Sequence, residues 1–78
     1  MSDYLPRLKK VVLAQLDVPE EKIVLDASFR DDLGFTSVEI FDLILAVEDE
    51  FGIEVPDEDA VMIATVMDAV EYLKKRLG

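Results

Sequence analysis

Apolar residues recur near the start of the chain at Leu5, Leu8, Val12 and Leu16, with Val11 beside them, at the spacing of one helical face. The pattern predicts a first helix from Asp3 to Leu16, capped by Ser2 or Asp3, with Pro6 tolerated in its first turn. Helical order then stops. Asp17 to Thr36 holds Pro19, Gly34 and scattered apolar anchors at Val18, Ile23, Leu25, Phe29 and Leu33. A structureless connection of that length is unusual in a compact domain, so the anchors are expected to pin it to the core, with a short turn at Pro19 to Lys22. Thr36 followed three residues later by Glu39 reads as a capping box, and predicts a second helix from Ser37 to Phe51, stopped before Gly52. A short third helix is expected after Pro56, with Asp57, Glu58 and Asp59 at its positive end. Thr65 and Asp68 make a second capping box. It opens a fourth helix through Val66, Ala69, Val70 and Leu73, closed by Lys74, Lys75 and Arg76 where cations suit the dipole. Ile53 to Val55 is too short to argue for a strand. The expected fold is an all-α four-helix bundle, three longer helices and one short one, with a long structured loop between the first two.

At 78 residues, the chain is expected to form a single domain across 1–78, near the lower limit for a self-supporting core. Its hydrophobic fraction of 51% suits a globular fold and is too high for a disordered tail. The longest apolar runs, Leu43 to Val47 and Ala60 to Ala64, fall far short of the roughly 20 residues that span a bilayer. Met1 to Lys10 lacks the apolar stretch of a secretory signal, so a cytoplasmic protein is expected. Without cysteine or histidine, disulfides, thiolate chemistry, imidazole catalysis and the common zinc sites are excluded together.

Charge changes the picture more. The net charge is −10, and its distribution is uneven: between Asp31 and Leu73 there are thirteen acids and no base. Such a surface repels nucleic acid and anionic lipid and attracts proteins with basic patches. The second helix adds an apolar signal to this. Ile40, Leu43, Ile44, Val47 and Phe51 form a core stripe, while Val38, Phe41 and Leu45 form another, rotated from it and flanked by Glu39, Asp42, Glu48 and Asp49. A wide buried face, with Phe41 packed on the loop, would explain this second stripe. A bundle this small has little mass to cover a helix all round, however, and an exposed apolar patch rimmed by acids suits docking onto partners. Val61 and Met62 would extend it. Ser37, first in its helix, would place its hydroxyl near free backbone N–H groups, a setting that favours an attached anion. A serine after a capping threonine is also ordinary helix chemistry.

The run Asp31-Asp32-Leu33-Gly34-Phe35-Thr36-Ser37-Val38-Glu39 resembles the prosthetic-group site of acyl carrier proteins, commonly D-L-G-x-D-S-L. Ala46 to Glu58 resembles the family's second block, and Ala27-Ser28-Phe29 and the first helix also fit. The resemblance spans essentially the whole chain. It implies that a dedicated phosphopantetheinyl transferase, using coenzyme A, attaches 4′-phosphopantetheine to Ser37, and that the arm's thiol carries acyl groups for fatty acid, polyketide or related synthesis. It also implies a non-catalytic monomer whose Val38, Phe41 and Leu45 touch partner enzymes while Glu39, Asp42, Glu48 and Asp49 meet their basic residues. The reactive sulfur would belong to the arm, which accords with a chain lacking cysteine.

Three departures from the family pattern suggest a specialised carrier. Thr36 stands where the family has Asp, preserving the cap and removing a carboxylate that can assist the transferase. Val38 replaces the usual Leu. Ile40 and Phe41 are bulky, and Ile40, one turn from Ser37, is expected to narrow any mouth through which a carried chain enters the bundle. Two competing readings are an acidic adaptor that never bears an arm and a divalent-cation binder using Asp57-Glu58-Asp59 or Asp31-Asp32. The latter lacks the D-x-[DN]-x-[DN]-G loop of a calcium site. No carboxylate is isolated in an apolar run, so an enzyme has little support.

Overall fold

The computed structural model describes residues 4–78. Among these, four α-helices occur in the order α1 (Leu5–Gln15), α2 (Ser37–Phe51), α3 (Asp57–Ala60) and α4 (Val66–Leu77), with a 3₁₀ turn at Glu20–Lys22. No strand is present among the described residues; Ser28 and Thr65 form an isolated antiparallel bridge.

The expected span of α1 needs trimming at both ends. Tyr4 occupies the N-cap without a side-chain cap, Pro6 lies in the first turn, and Leu16 is already extended. The proposed caps Ser2 and Asp3 lie outside the described residues. The stripe itself is where periodicity put it, with Leu8, Val11 and Val12 buried.

Both capping boxes form. Thr36 Oγ1 accepts from the Glu39 N–H at 3.2 Å, and Glu39 Oε1 accepts from the Thr36 N–H at 2.9 Å. The Thr65–Asp68 pair does the same for α4. Gly52 ends α2 with φ of 66°, a left-handed turn that glycine adopts without Cβ strain. The Glu48 carbonyl then takes the N–H groups of both Gly52 and Ile53.

The long loop between α1 and α2 is held from two sides. Ile23, Ala27, Phe29, Leu33 and Phe35 are buried beneath it, and the Phe29 and Phe35 rings meet edge to face at 6.0 Å. Its backbone also ties to the start of α4: Ala64 accepts from Phe29, Ala27 from Val66, and Leu25 from Met67. The last two bonds satisfy N–H groups that a helix N-terminus leaves without intrahelical partners. This corrects the expectation for Leu25. Its carbonyl faces α4, and its side chain is 41% exposed.

One large apolar cluster joins α1, the loop, α2 and α4, and a smaller one gathers Tyr4, Phe51 and Leu73. Val47 packs against both. Arg7 covers the second cluster, its guanidinium 4.4 Å from the centre of the Phe51 ring and paired with Glu50 at 3.2 Å. At the far end of α4, the Tyr72 hydroxyl donates to Asp59 and accepts from Arg76, each at 2.7 Å. Burial first, and the Asp59 carboxylate second, push the Tyr72 phenol above its ordinary value.

Candidate functional site

Ser37 is the first residue of α2 and is exposed. Its position follows from the cap: Thr36 is extended, Ile40 makes the first intrahelical bond back to the Thr36 carbonyl, and Thr36 Oγ1 takes the Glu39 N–H. The N–H groups of Ser37 and Val38 have no partner among the described residues. They point with the positive end of a 15-residue helix toward solvent. The Ser37 Oγ accepts a hydrogen bond from Arg30 Nη2 at 2.9 Å. Sequence reasoning passed over Arg30. The available signal was its place as the last base before the acidic stretch.

Beside Ser37 lies an open groove of about 500 Å³ between α2 and the α3–α4 connection. Arg30, Asp31 and Asp57 supply charge near its mouth; Ile40, Phe41, Ile44, Val61 and Ile63 supply apolar wall. Behind it, within the bundle, is a nearly apolar void of about 30 Å³, room for about one water-sized group. Ile40, Ile44 and Ile63 line both spaces, so they stand where the two adjoin. These side chains are half-buried rather than fully inside, unlike Leu43 and Phe51 on the same helix.

The second stripe of α2 is exposed, not packed under the loop. Val38 is 71% exposed and Phe41 56%, with Leu45 close behind. Val61, 80% exposed, and Met62 are also at the surface, in the segment after α3, and Val61 lines the groove with Phe41. The acids divide into two kinds. Asp42 and Asp49 are exposed. Glu39 is engaged in the capping box, and Glu48 Oε2 accepts from the Val55 N–H at 2.6 Å, fastening the segment after α2. Among the described residues no group of three or more acids converges as a metal site.

Comparison with known proteins accords with this geometry. A family model described as the phosphopantetheine attachment site matches residues 6–73. The acyl carrier protein of Phenylobacterium zucineum is 49% identical over 78 residues, covering 100% of this chain and 99% of its own. The chain belongs to the acyl carrier protein family. The acyl carrier protein of Zymomonas mobilis subsp. mobilis is likewise 49% identical, over 94% of each chain. A solved structure from Mycobacterium tuberculosis, provisionally described as an acyl carrier protein, superposes with a TM-score of 0.84 at 28% identity. The match covers 96% of this chain and 100% of that one.

Membership of the acyl carrier protein family brings a covalent 4′-phosphopantetheine, a transferase that installs it and enzymes that handle the acyl group. Acyl carrier proteins carry; their enzyme partners catalyse. The residues present fit the group. An exposed hydroxyl, two free N–H groups and a guanidinium suit a phosphodiester, and the groove offers apolar wall to the arm beyond it. No helix among the described residues is long and apolar enough to cross a membrane.

Proposed function

We propose that Ser37 is the attachment site of the arm and that this chain is a single, monomeric, cytoplasmic carrier domain. It presents acyl thioesters to enzymes of fatty acid, polyketide or related synthesis. The observation that carries the reading is the Ser37 hydroxyl, exposed at the positive end of α2 beside two N–H groups that have no partner among the described residues, and opening onto a groove. When bound, the arm supplies a thiol to hold acyl groups. The chain's own residues anchor and display it. Thr36 holds the helix start in shape, and the groove walls offer a resting surface for the arm. Val38, Phe41, Leu45, Val61 and Met62 form an apolar docking face. Asp42 and Asp49, with the free edges of Glu39 and Glu48, steer basic partners toward it.

The decisive experiment is intact mass after incubation with coenzyme A and a broad-specificity phosphopantetheinyl transferase. One phosphopantetheine increment is expected on the wild type and none on Ser37→Ala. Because Ser37 is exposed, that variant should melt close to the wild type. A folded wild type that gains no mass defeats the proposal and leaves an unmodified acidic adaptor.

A further inference from the structure

We propose that Arg30 is a positioning residue for the arm: its guanidinium grips the phosphodiester on Ser37 and lays the proximal arm along the groove between α2 and the α3–α4 connection. The inference rests on Ser37 bearing the arm. In a chain with net charge −10, flanked by Asp31 and Asp32, an arginine has many carboxylates to choose from. Arg30 pairs with none of them among the described residues. The Asp32 carboxylate is turned to the Ser28 N–H at 2.7 Å, and the Arg30 guanidinium instead donates to the neutral Ser37 Oγ. An unneutralised cation is thus aimed at the one atom that would become a phosphate ester.

Esterification changes what that cation meets. The Oγ becomes a bridging oxygen and a poor acceptor, while the two non-bridging oxygens one bond away share a negative charge. A guanidinium carries five donors in a planar fork that matches such a pair of oxygens, so Arg30 can transfer its grip with a small shift. The groove needs this cation. Its other charged lining residues, Asp31 and Asp57, would push a phosphodiester outward. Among the described residues, Arg30 is the one base lining it. With the phosphate held at the Arg30 side, the arm's next atoms lie nearest the apolar wall of Ile40, Phe41 and Val61.

The test uses the arm-bearing protein, checked first by intact mass, with the arm labelled with ¹³C. In the wild type at low salt, the phosphodiester ³¹P should relax as a group fixed to the bundle. Arm methyl protons should show nuclear Overhauser contacts to Phe41 and Val61. Arg30→Ala should reduce the ³¹P transverse relaxation rate by about twofold and erase those contacts, since the phosphate then moves on the nanosecond timescale of a free tether. Arg30→Lys keeps the charge without the fork and should fall between the two. Raising salt should loosen the wild type and leave Arg30→Ala unchanged. A purely structural role would instead lower the melting temperature of the arm-free protein and leave arm relaxation alone. Equal relaxation and equal contacts in wild type, Arg30→Ala and Arg30→Lys overturn the inference while leaving Ser37 as the attachment site. Absence of any mass gain in the wild type removes both.

Discussion

Ile40 offers the sharpest test of how this bundle treats a carried chain. Replacing it with alanine removes three carbons, about 90 Å³ if each is taken as a water-sized group. That space would join an inner void of about 30 Å³ to the groove beside Ser37. At about 24 cal/mol per Å³ a closed cavity of that size would add about 2 kcal/mol to the lost transfer energy; because Ile40 is half-buried and the space opens to solvent, about 1–2 kcal/mol in all is expected. For a chain of this length the melting temperature should fall by about 4–16 °C. The functional readout is methyl and amide chemical shifts of octanoyl-loaded protein against the unacylated holo form. In the wild type the octanoyl-dependent shifts should stay at the groove, around Phe41 and Val61. In Ile40→Ala they should reach Leu8, Val55 and Leu73, which line the inner void. If octanoyl loading moves Leu8 and Leu73 equally in both proteins, Ile40 is no partition and the reasoning fails.

Thr36→Ala should cost about 1 kcal/mol by breaking the capping box, whereas Thr36→Asp should keep the cap and load faster with a transferase that uses the carboxylate. Denaturant melts and initial loading rates check the pair. Asp68 is held below its ordinary value of 3.8, chiefly by the Ala64 N–H and then the Thr65 N–H, with burial opposing. Its contribution is therefore complete above that value and is lost as pH falls through the lower folded one. Asp68→Asn should lose about 1 kcal/mol at neutral pH and show a shallower decline below pH 3.8, measured by thermal melts across pH. Salt should stabilise the wild type. Across a body 28 × 27 × 19 Å, screening lengths of about 30 Å at 10 mM and about 8 Å at 150 mM separate acids that all repel from acids that feel only their neighbours. A rise of several degrees in melting temperature is expected, and an unchanged value would refute it.

Helix starts were the most legible part of the sequence, because a capping box is local chemistry. Thr36–Glu39 and Thr65–Asp68 place the two long boundaries without reference to the rest of the chain. The exposure of Val38, Phe41 and Leu45 was legible for a different reason: a small bundle cannot cover two apolar stripes on one helix. What could not be read depended on segments meeting in space. Leu25 looks like a core anchor, but its carbonyl is needed at the start of α4, and that need is invisible until the loop and helix are adjacent. The same holds for Glu48, whose Val55 partner is seven residues away across a turn, and for Arg30, whose reach to Ser37 depends on the fold of Leu33 and Phe35 between them.

The double duty of Glu39 and Glu48 bears on how any surface scan of α2 should be interpreted. Neutralising either one strips an internal anchor along with an external charge, so weakened complex formation by such a variant mixes a loosened scaffold with a lost electrostatic handle. Asp42 and Asp49 carry no such confusion, since nothing inside the chain leans on their carboxylates among the described residues. Binding measured on those two isolates what the surface itself says to a visiting enzyme.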